Sequence, residues 1–317
     1  MTLIPRYGLI CNLKLIVIIF ALSGCAPVLS RHAVAPSGLG ARPPQLTIEE
    51  SLRQPGRVRV ERVLAAEMVN RRSALVDLDD PRAIEAGIDD ADEAFGIYFY
   101  VIDHPQHGRF LIDAGVSADI EPRMSRLLRF AMRSYTVTVH TTTADWLDTH
   151  AAAPPEGVFL THLHWDHLGG LIDLDPHVPV YAGAGDGGHT YWAYHVLGDT
   201  ADNILDGYGP LREWPTFDDP TGRFVGVTDV FGDGSVWALH VPGHTTGSTA
   251  YLVNAVDGAY LITGDAIHTR LGWTLGLDQP GPDRDAADRR ASSERLRDFA
   301  ERHPDVSVWL GHQSLEE

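Results

Sequence analysis

Apolar positions along the chain gather into short runs punctuated by Gly, Pro and Asp, a pattern of strands buried on both faces with helices between them. Residues 57–63 (RVRVERV) alternate and predict a first strand, followed by mixed, acidic residues 64–94 that predict surface loop with short helix. Phe95–Asp103 (FGIYFYVID) and Arg109–Ile112 (RFLI) predict two strands, with His104–Gly108 (HPQHG) as the hairpin turn. Ala118–Arg133 places Ile120, Met124, Leu127, Leu128 and Ala131 at helical spacing. Val158–Leu160 and Val178–Tyr181 predict short buried strands. The later half repeats this grammar. Val236–Val241, Thr249–Val253 and Tyr260–Thr263 predict strands with turns at Gly232–Gly234 and Asp257-Gly258. A helix is predicted over Arg284–Arg302, ended by Pro304, before a last strand Val306–Leu310. Strands then helix, twice over, predict an α/β fold of two sheets packed face to face with helices outside. Residues 183–235 show no clear period and predict an inserted loop region carrying Tyr191, Trp192 and Tyr194. Gly183–Gly188 lacks the Gly-Lys-Ser/Thr of a phosphate loop.

The N-terminus has a different pattern. Arg6 and Lys14 precede the apolar run Leu15–Leu22, which is too short to span a bilayer and predicts an export signal over residues 1–24. Leu22-Ser23-Gly24-Cys25 resembles the lipobox of bacterial lipoproteins. That resemblance implies a lipidated Cys25 as membrane partner, and Ala26 after it implies the outer membrane, facing the periplasm. Residues 25–56 carry Pro27, Pro36, Pro43, Pro44 and Pro55 and predict an extended tether, leaving 57–317 as the folded domain.

The chain of 317 residues has 25 basic against 43 acidic side chains and a formal charge of −18, which argues against nucleic acid as a partner. Two cysteines build neither a disulfide framework nor an all-cysteine zinc site. The unusual count is 16 histidines. Three of them fall in Thr161-His162-Leu163-His164-Trp165-Asp166-His167, directly after the strand at 158–160. In extended backbone His162 and His164 point to one side and can grip one ion. Asp166 and His167 fall where the chain turns and suit a second ion. Neutral imidazoles with carboxylates are the ligands of a catalytic metal that keeps open positions.

The motif His162-x-His164-x-Asp166-His167 resembles that of the metallo-β-lactamase superfamily, a four-layer αβ/βα sandwich. The resemblance extends to Asp113 in LIDAG, a residue that orders backbone behind the metals, and to His244 in PGHTTGS. It also covers Asp265 in LITGDA and His312 in WLGH. It implies a first metal on His162, His164 and His244 and a second on Asp166, His167 and His312, with Asp265 bridging. Two divalent ions, zinc first with iron or manganese as alternatives, would share a hydroxide that attacks a carbonyl. Asp166 is then a proton shuttle to the leaving group. An aspartate at the bridging position resembles the lactonase, glyoxalase II and phosphodiesterase branches. Only five residues follow His312, which leaves no room for the C-terminal helical domain of glyoxalase II. The ligand spacing is most similar to the N-acyl homoserine lactonases.

Those lactonases often carry a tyrosine three residues after the bridging aspartate; here His268 stands there. A substrate-contacting His268 would make activity pH-dependent. The expectation is therefore a metal-dependent hydrolase of a lactone or other ester, a small-molecule substrate. β-Lactamase or phosphodiesterase activity on the same site, or a mononuclear iron persulfide dioxygenase, are the alternatives. Trp165 and Trp273 wall the pocket or pack, and His240 packs or stands behind the ligands. His104, His107, His177, His189 and His195 are expected on solvated loops. No Gly-x-Ser-x-Gly elbow supports serine hydrolysis.

Overall fold

The computed structural model describes residues 30–151, 153–188, 200–280 and 286–315. The signal segment, Cys25, His189, Tyr191, Trp192, Tyr194 and His195 lie outside these. One sheet has eight strands: β1 (Val34–Pro36), β2 (Arg59–Arg71), β3 (Asp92–His104), β4 (Gly108–Ile112), β5 (Val137–Val139), β6 (Gly157–Phe159), β7 (Val180–Ala182) and β8 (Leu211–Glu213). Their order is β1-β8-β7-β6-β4-β3-β2-β5. The other has β9 (Gly226–Asp229), β10 (Val236–His240), β11 (Thr249–Ala255), β12 (Gly258–Ile262) and β13 (Val306–Trp309), ordered β13-β12-β11-β10-β9.

The continuous apolar runs follow from burial on both faces. In β4, Phe110 and Ile112 point between the sheets, where they meet Tyr100, Phe159, Tyr181, Trp214 and Tyr251. Leu111, between them in sequence, faces the outer side with Ile97, Phe99, Leu160 and Leu168. The second sheet repeats the alternation: Val236 and Ala238 point inward, while Trp237 and Leu239 face Leu296 and Phe299 of the helix Ala286–Arg302. Two sheets between outer helical layers make the expected four-layer sandwich. No helix among the described residues is long and apolar enough to cross a membrane.

Four local expectations are corrected. The predicted tether is folded from residue 30 onward: β1 pairs in parallel with β8, and Thr47 and Glu50 form a capping box for the helix Ile48–Leu52. Ile48 is buried there, and Ser51 accepts a hydrogen bond from the Trp237 indole at 3.0 Å. The first strand runs on to Arg71, eight residues past its predicted end, because β3 pairs along its whole length. The predicted helix 118–133 is a short 3-10 turn (Glu121–Arg123) and a separate helix, Arg126–Met132, capped by Ser125. The loop region 183–235 contains β8 and β9.

Candidate metal centre

The chemistry-bearing residues follow the C-terminal ends of β4, β6, β10, β12 and β13, so they meet at one rim of the sandwich. Beyond β6, the buried Leu160 and Leu163 hold the chain extended, and His162 and His164 project to the same side. His164 is the N-cap of the helical turn Trp165–Leu168, which swings Asp166 and His167 around to a second position. Gly243 brings His244 close to the helix Ala286–Arg302: its φ is +135°, and a Cβ there would lie 2.3 Å from Arg289 N. Gly311 makes room beside His312, since a Cβ would lie 2.7 Å from Asp265 Oδ1.

Two nests result. In the first, His162 Nε2 and His164 Nδ1 are 2.7 Å apart, and His244 Nε2 lies 3.1 and 2.9 Å from them. Asp265 Oδ2 is 3.5 Å from His162 Nε2 and 3.3 Å from His244 Nε2. In the second, His167 Nε2 and His312 Nε2 are 3.4 Å apart, with Asp265 Oδ1 at 3.2 and 2.9 Å from them. Asp166 Oδ2 completes it, 3.8 Å from His312 Nε2. Asp265 therefore offers one oxygen to each nest.

The outward nitrogens decide what the inward ones can do. His167 Nδ1 donates to Asp113 Oδ2 at 2.8 Å, and His312 Nδ1 to the Gly96 carbonyl at 2.8 Å. His244 Nδ1 meets Gln279 Oε1 at 3.0 Å, and Gln279 Nε2 donates to the Asp265 carbonyl, which fixes the amide. Thr161 Oγ1 donates to Asp113 and faces His162 Nδ1 at 3.1 Å. A carboxylate or carbonyl only accepts, so the ring proton sits outward and a lone pair points inward. The inward lone pairs of His162 and His244, 3.1 Å apart, cannot hydrogen-bond each other; the outward Nε2 of His164 is buried without a partner, so only its Nδ1 is free to donate to them. Asp265 Oδ1 is likewise buried without a donor. A cation in each nest satisfies these inward atoms; one ligand atom from each of His162, His164, His244 and Asp265 lies within 4.8 Å of the others, and so does one from each of Asp166, His167 and His312.

Electrostatics differ between the nests. Burial, reinforced by neighbouring imidazoles, pushes His162 and His244 well below the ordinary histidine range and His164 down to about 4. Burial also opposes charge on His167, but Asp265 and Asp113 outweigh it and hold that ring well above the range. Asp265 is buried too; the surrounding histidines, His268 first, overcome that and keep its carboxyl well below normal.

All seven ligand positions read from the sequence are brought together. Asp113 lies behind them at φ +53°, a left-handed conformation that aspartate tolerates better than most side chains, and also accepts the Thr161 N–H at 2.8 Å. His268 Nε2 is 2.9 Å from Asp265 Oδ2, while its buried Nδ1 has no hydrogen-bond partner. Trp165 and Trp273 pack against the outer cores, and His240 Nε2 meets the Thr246 carbonyl. His177 is exposed as expected; His104 is not. It is buried at the end of β3 and faces Asp233 at 3.2 Å, because the β3–β4 hairpin folds under Phe231. Sequence reasoning missed Thr161, Gln279 and the Gly96 carbonyl as partners of the ligands. Thr161 sits inside the motif and could have been found; Gln279 and Gly96 carry no local signal.

The chain is similar to known proteins in part of its sequence and in its fold. Over 85 residues the chain is 35% identical to N-acyl homoserine lactonase AttM of Agrobacterium fabrum, covering 26% of this chain and 32% of AttM. Over 98 residues it is 36% identical to hydroxyacylglutathione hydrolase of Shewanella sp. (strain ANA-3), covering 31% of each. The chain thus spans about a third of the length of these curated relatives. Among solved structures, a quorum-quenching N-acyl homoserine lactone lactonase superposes with TM-score 0.59 at 16% identity, over 83% of this chain and 95% of that one. An AiiA variant of B. thuringiensis with N-decanoyl-L-homoserine bound at its active site gives the same score and identity, over 83% and 99%. At such identity these matches establish the fold. The family model of the metallo-beta-lactamase superfamily matches residues 92–312, from the start of β3 to the last histidine of the site, and the chain belongs to that superfamily.

Proposed function

We propose that this chain is a dinuclear metal-dependent hydrolase of lactones or related esters. The observation that carries the reading is Asp265, buried and offering one oxygen to each of two histidine nests. His162, His164, His244 and Asp265 would hold one ion, and Asp166, His167, His312 and Asp265 the other. Two divalent ions there, zinc in our reading, would supply an activated water and a Lewis acid for a substrate carbonyl. Asp166, whose Oδ2 lies in the second nest, would also be the group that carries a proton to the leaving oxygen. His268 keeps Nε2–H toward Asp265, which leaves its unpartnered Nδ1 as an acceptor for a donor group of the substrate. The lactone preference draws on the lactonases and the thioester hydrolase that the chain resembles in part. Following the lipobox, we place the enzyme at the cell envelope, anchored through Cys25.

Metal analysis together with a screen of lactones, thioesters, phosphodiesters and β-lactams tests the reading. About two divalent ions per chain and turnover of lactones support it. A single iron per chain, or turnover of β-lactams alone, overturns it.

A further inference from the structure

No acidic residue occurs between Glu121 and Asp145. That gap holds Arg123, Arg126, Arg129 and Arg133. It covers the helix Arg126–Met132 and the edge strand β5. Arg126 and Arg133 are exposed, and beside them Phe130 is 58% exposed and Val139 51%. Among the described residues, two acids pair with the patch from neighbouring elements: Asp206, 3.9 Å from Arg123, and Glu67, 3.6 Å from His140. A short basic helix with an outward aromatic ring is the composition of a membrane-surface element.

Where the chain leads toward its N-terminus points the same way. The helix Thr200–Ile204 is gripped on one side by this patch: Arg123 Nη1 donates to the Asn203 carbonyl at 3.0 Å, and Ser125 N to Thr200 Oγ1 at 3.0 Å. On the neighbouring residue, Asp202 receives the Arg31 N–H at 3.0 Å and the Ser30 hydroxyl. Ser30 N in turn bonds the Asp186 carbonyl, and the Asp186 carboxylate holds Gly247 N at 2.6 Å in the loop that carries His244. Cys25 is five residues before Ser30, at most about 18 Å of extended backbone.

We propose that Arg126, Arg129, Phe130 and Arg133 form a seat for an anionic phospholipid bilayer, which turns the metal-bearing rim toward the membrane. The arginines meet lipid phosphates, and Phe130 enters the headgroup boundary. The seating does not rest on the hydrolase reading; lipidation of Cys25 would support it through the short reach of the N-terminus, but the basic patch carries it alone. Its consequence for that reading is a substrate that is amphiphilic and drawn from the lipid surface.

Hydrogen–deuterium exchange of the full chain mixed with vesicles of phosphatidylcholine, with or without phosphatidylglycerol, tests this. Amides over residues 123–139 should slow several-fold with the anionic vesicles only, and lose that protection in about 0.5 M salt. Arg126→Glu/Arg133→Glu replaces two exposed residues and should weaken the anionic-vesicle contact by about 25-fold, fivefold per arginine, with metal content unchanged. Phe130→Ser should weaken it with the charge intact. Flotation on phosphatidylcholine vesicles reads anchoring separately, and turnover of a water-soluble ester reads the hydrolase separately. Equal exchange over 123–139 in both vesicle types overturns the seat, whether or not the chain floats.

Discussion

The two nests of the candidate metal centre use the same residue types and lie against one shared carboxylate, yet their surroundings push the histidines of the first and His167 of the second toward opposite charge states. The first is three imidazoles packed against one another, and burial with mutual repulsion keeps them neutral. In the second, His167 stands between Asp265 and Asp113, which outweigh its burial and draw that ring toward the charged form. Only neutral imidazole binds a metal ion. The first nest is therefore prepared for an ion at lower pH than the second, where an ion must displace a proton from His167. Ligand identity alone would not reveal this asymmetry; it comes from what stands behind each ring.

The most severe test removes what the nests share. Asp265→Ala should strip both ions and lower turnover by about a thousandfold or more, since both clamps of a two-ion arrangement go at once. Metal analysis and turnover on the same preparation check it. Loss of one ion alone would show that the carboxylate serves one nest only.

Acidity should separate the nests in the metal-free protein. His164, held at about 4, contributes stability that is full above its ordinary 6.5 and is lost as the pH falls toward 4, a loss of up to ~3 kcal/mol. His167 has the opposite sign: its contribution is full below 6.5 and is lost as the pH rises through its raised value. Thermal melts of chelator-stripped protein from about pH 4 to 9 should fall on both sides of neutrality. With metal present, uptake should occur in two steps, the first nest filling at lower pH. One-step uptake would break the comparison.

A narrower cut acts behind the second nest. Asp113→Asn leaves a side chain of the same size but weakens the acceptor that fixes the His167 proton outward. Affinity in the second nest should drop by about 10- to 100-fold with the first little changed, as read by competition with a chelator. The same substitution should flatten the alkaline limb of the metal-free melt. An equal loss in both nests would mean that Asp113 acts through Thr161 and the loop, which it also holds.

The candidate ligands could be read from the sequence because each lies just beyond the end of a strand, and a strand end leaves little freedom in where the next residues point. His162, His164 and His167 could be placed from the motif alone, and the alternation of β4, β10 and β11 is written in the chain. What stands behind the ligands was legible only where it is close in sequence. Asp113 came with the resemblance, whereas Gly96 acts through its backbone and Gln279 sits in a connection with no periodic signal. Composition misled at residues 30–56: five prolines between 26 and 56 suggested a tether, although Thr47-Ile48-Glu49-Glu50 already spelled a capping box. Pairing with a partner distant in the chain carried β2 on to Arg71 and made β5 a strand, and no local pattern encodes such pairing.

The smallest expected effect lies behind the first nest. Gln279 Oε1 accepts from His244 Nδ1 while its amide donates to the Asp265 carbonyl, so it touches the ring of one nest and the backbone of the residue that both share. Gln279→Ala frees the His244 ring to change tautomer, and affinity in the first nest should fall by about tenfold, at the low end for loss of such a partner. Gln279→Glu keeps an acceptor for the ring but cannot donate to the carbonyl. If Gln279 works through His244, the glutamate variant should retain first-nest affinity that the alanine variant loses, with the second nest unchanged in both. If it works through Asp265 instead, both variants should weaken both nests together, and the independence of the two halves would end at this residue.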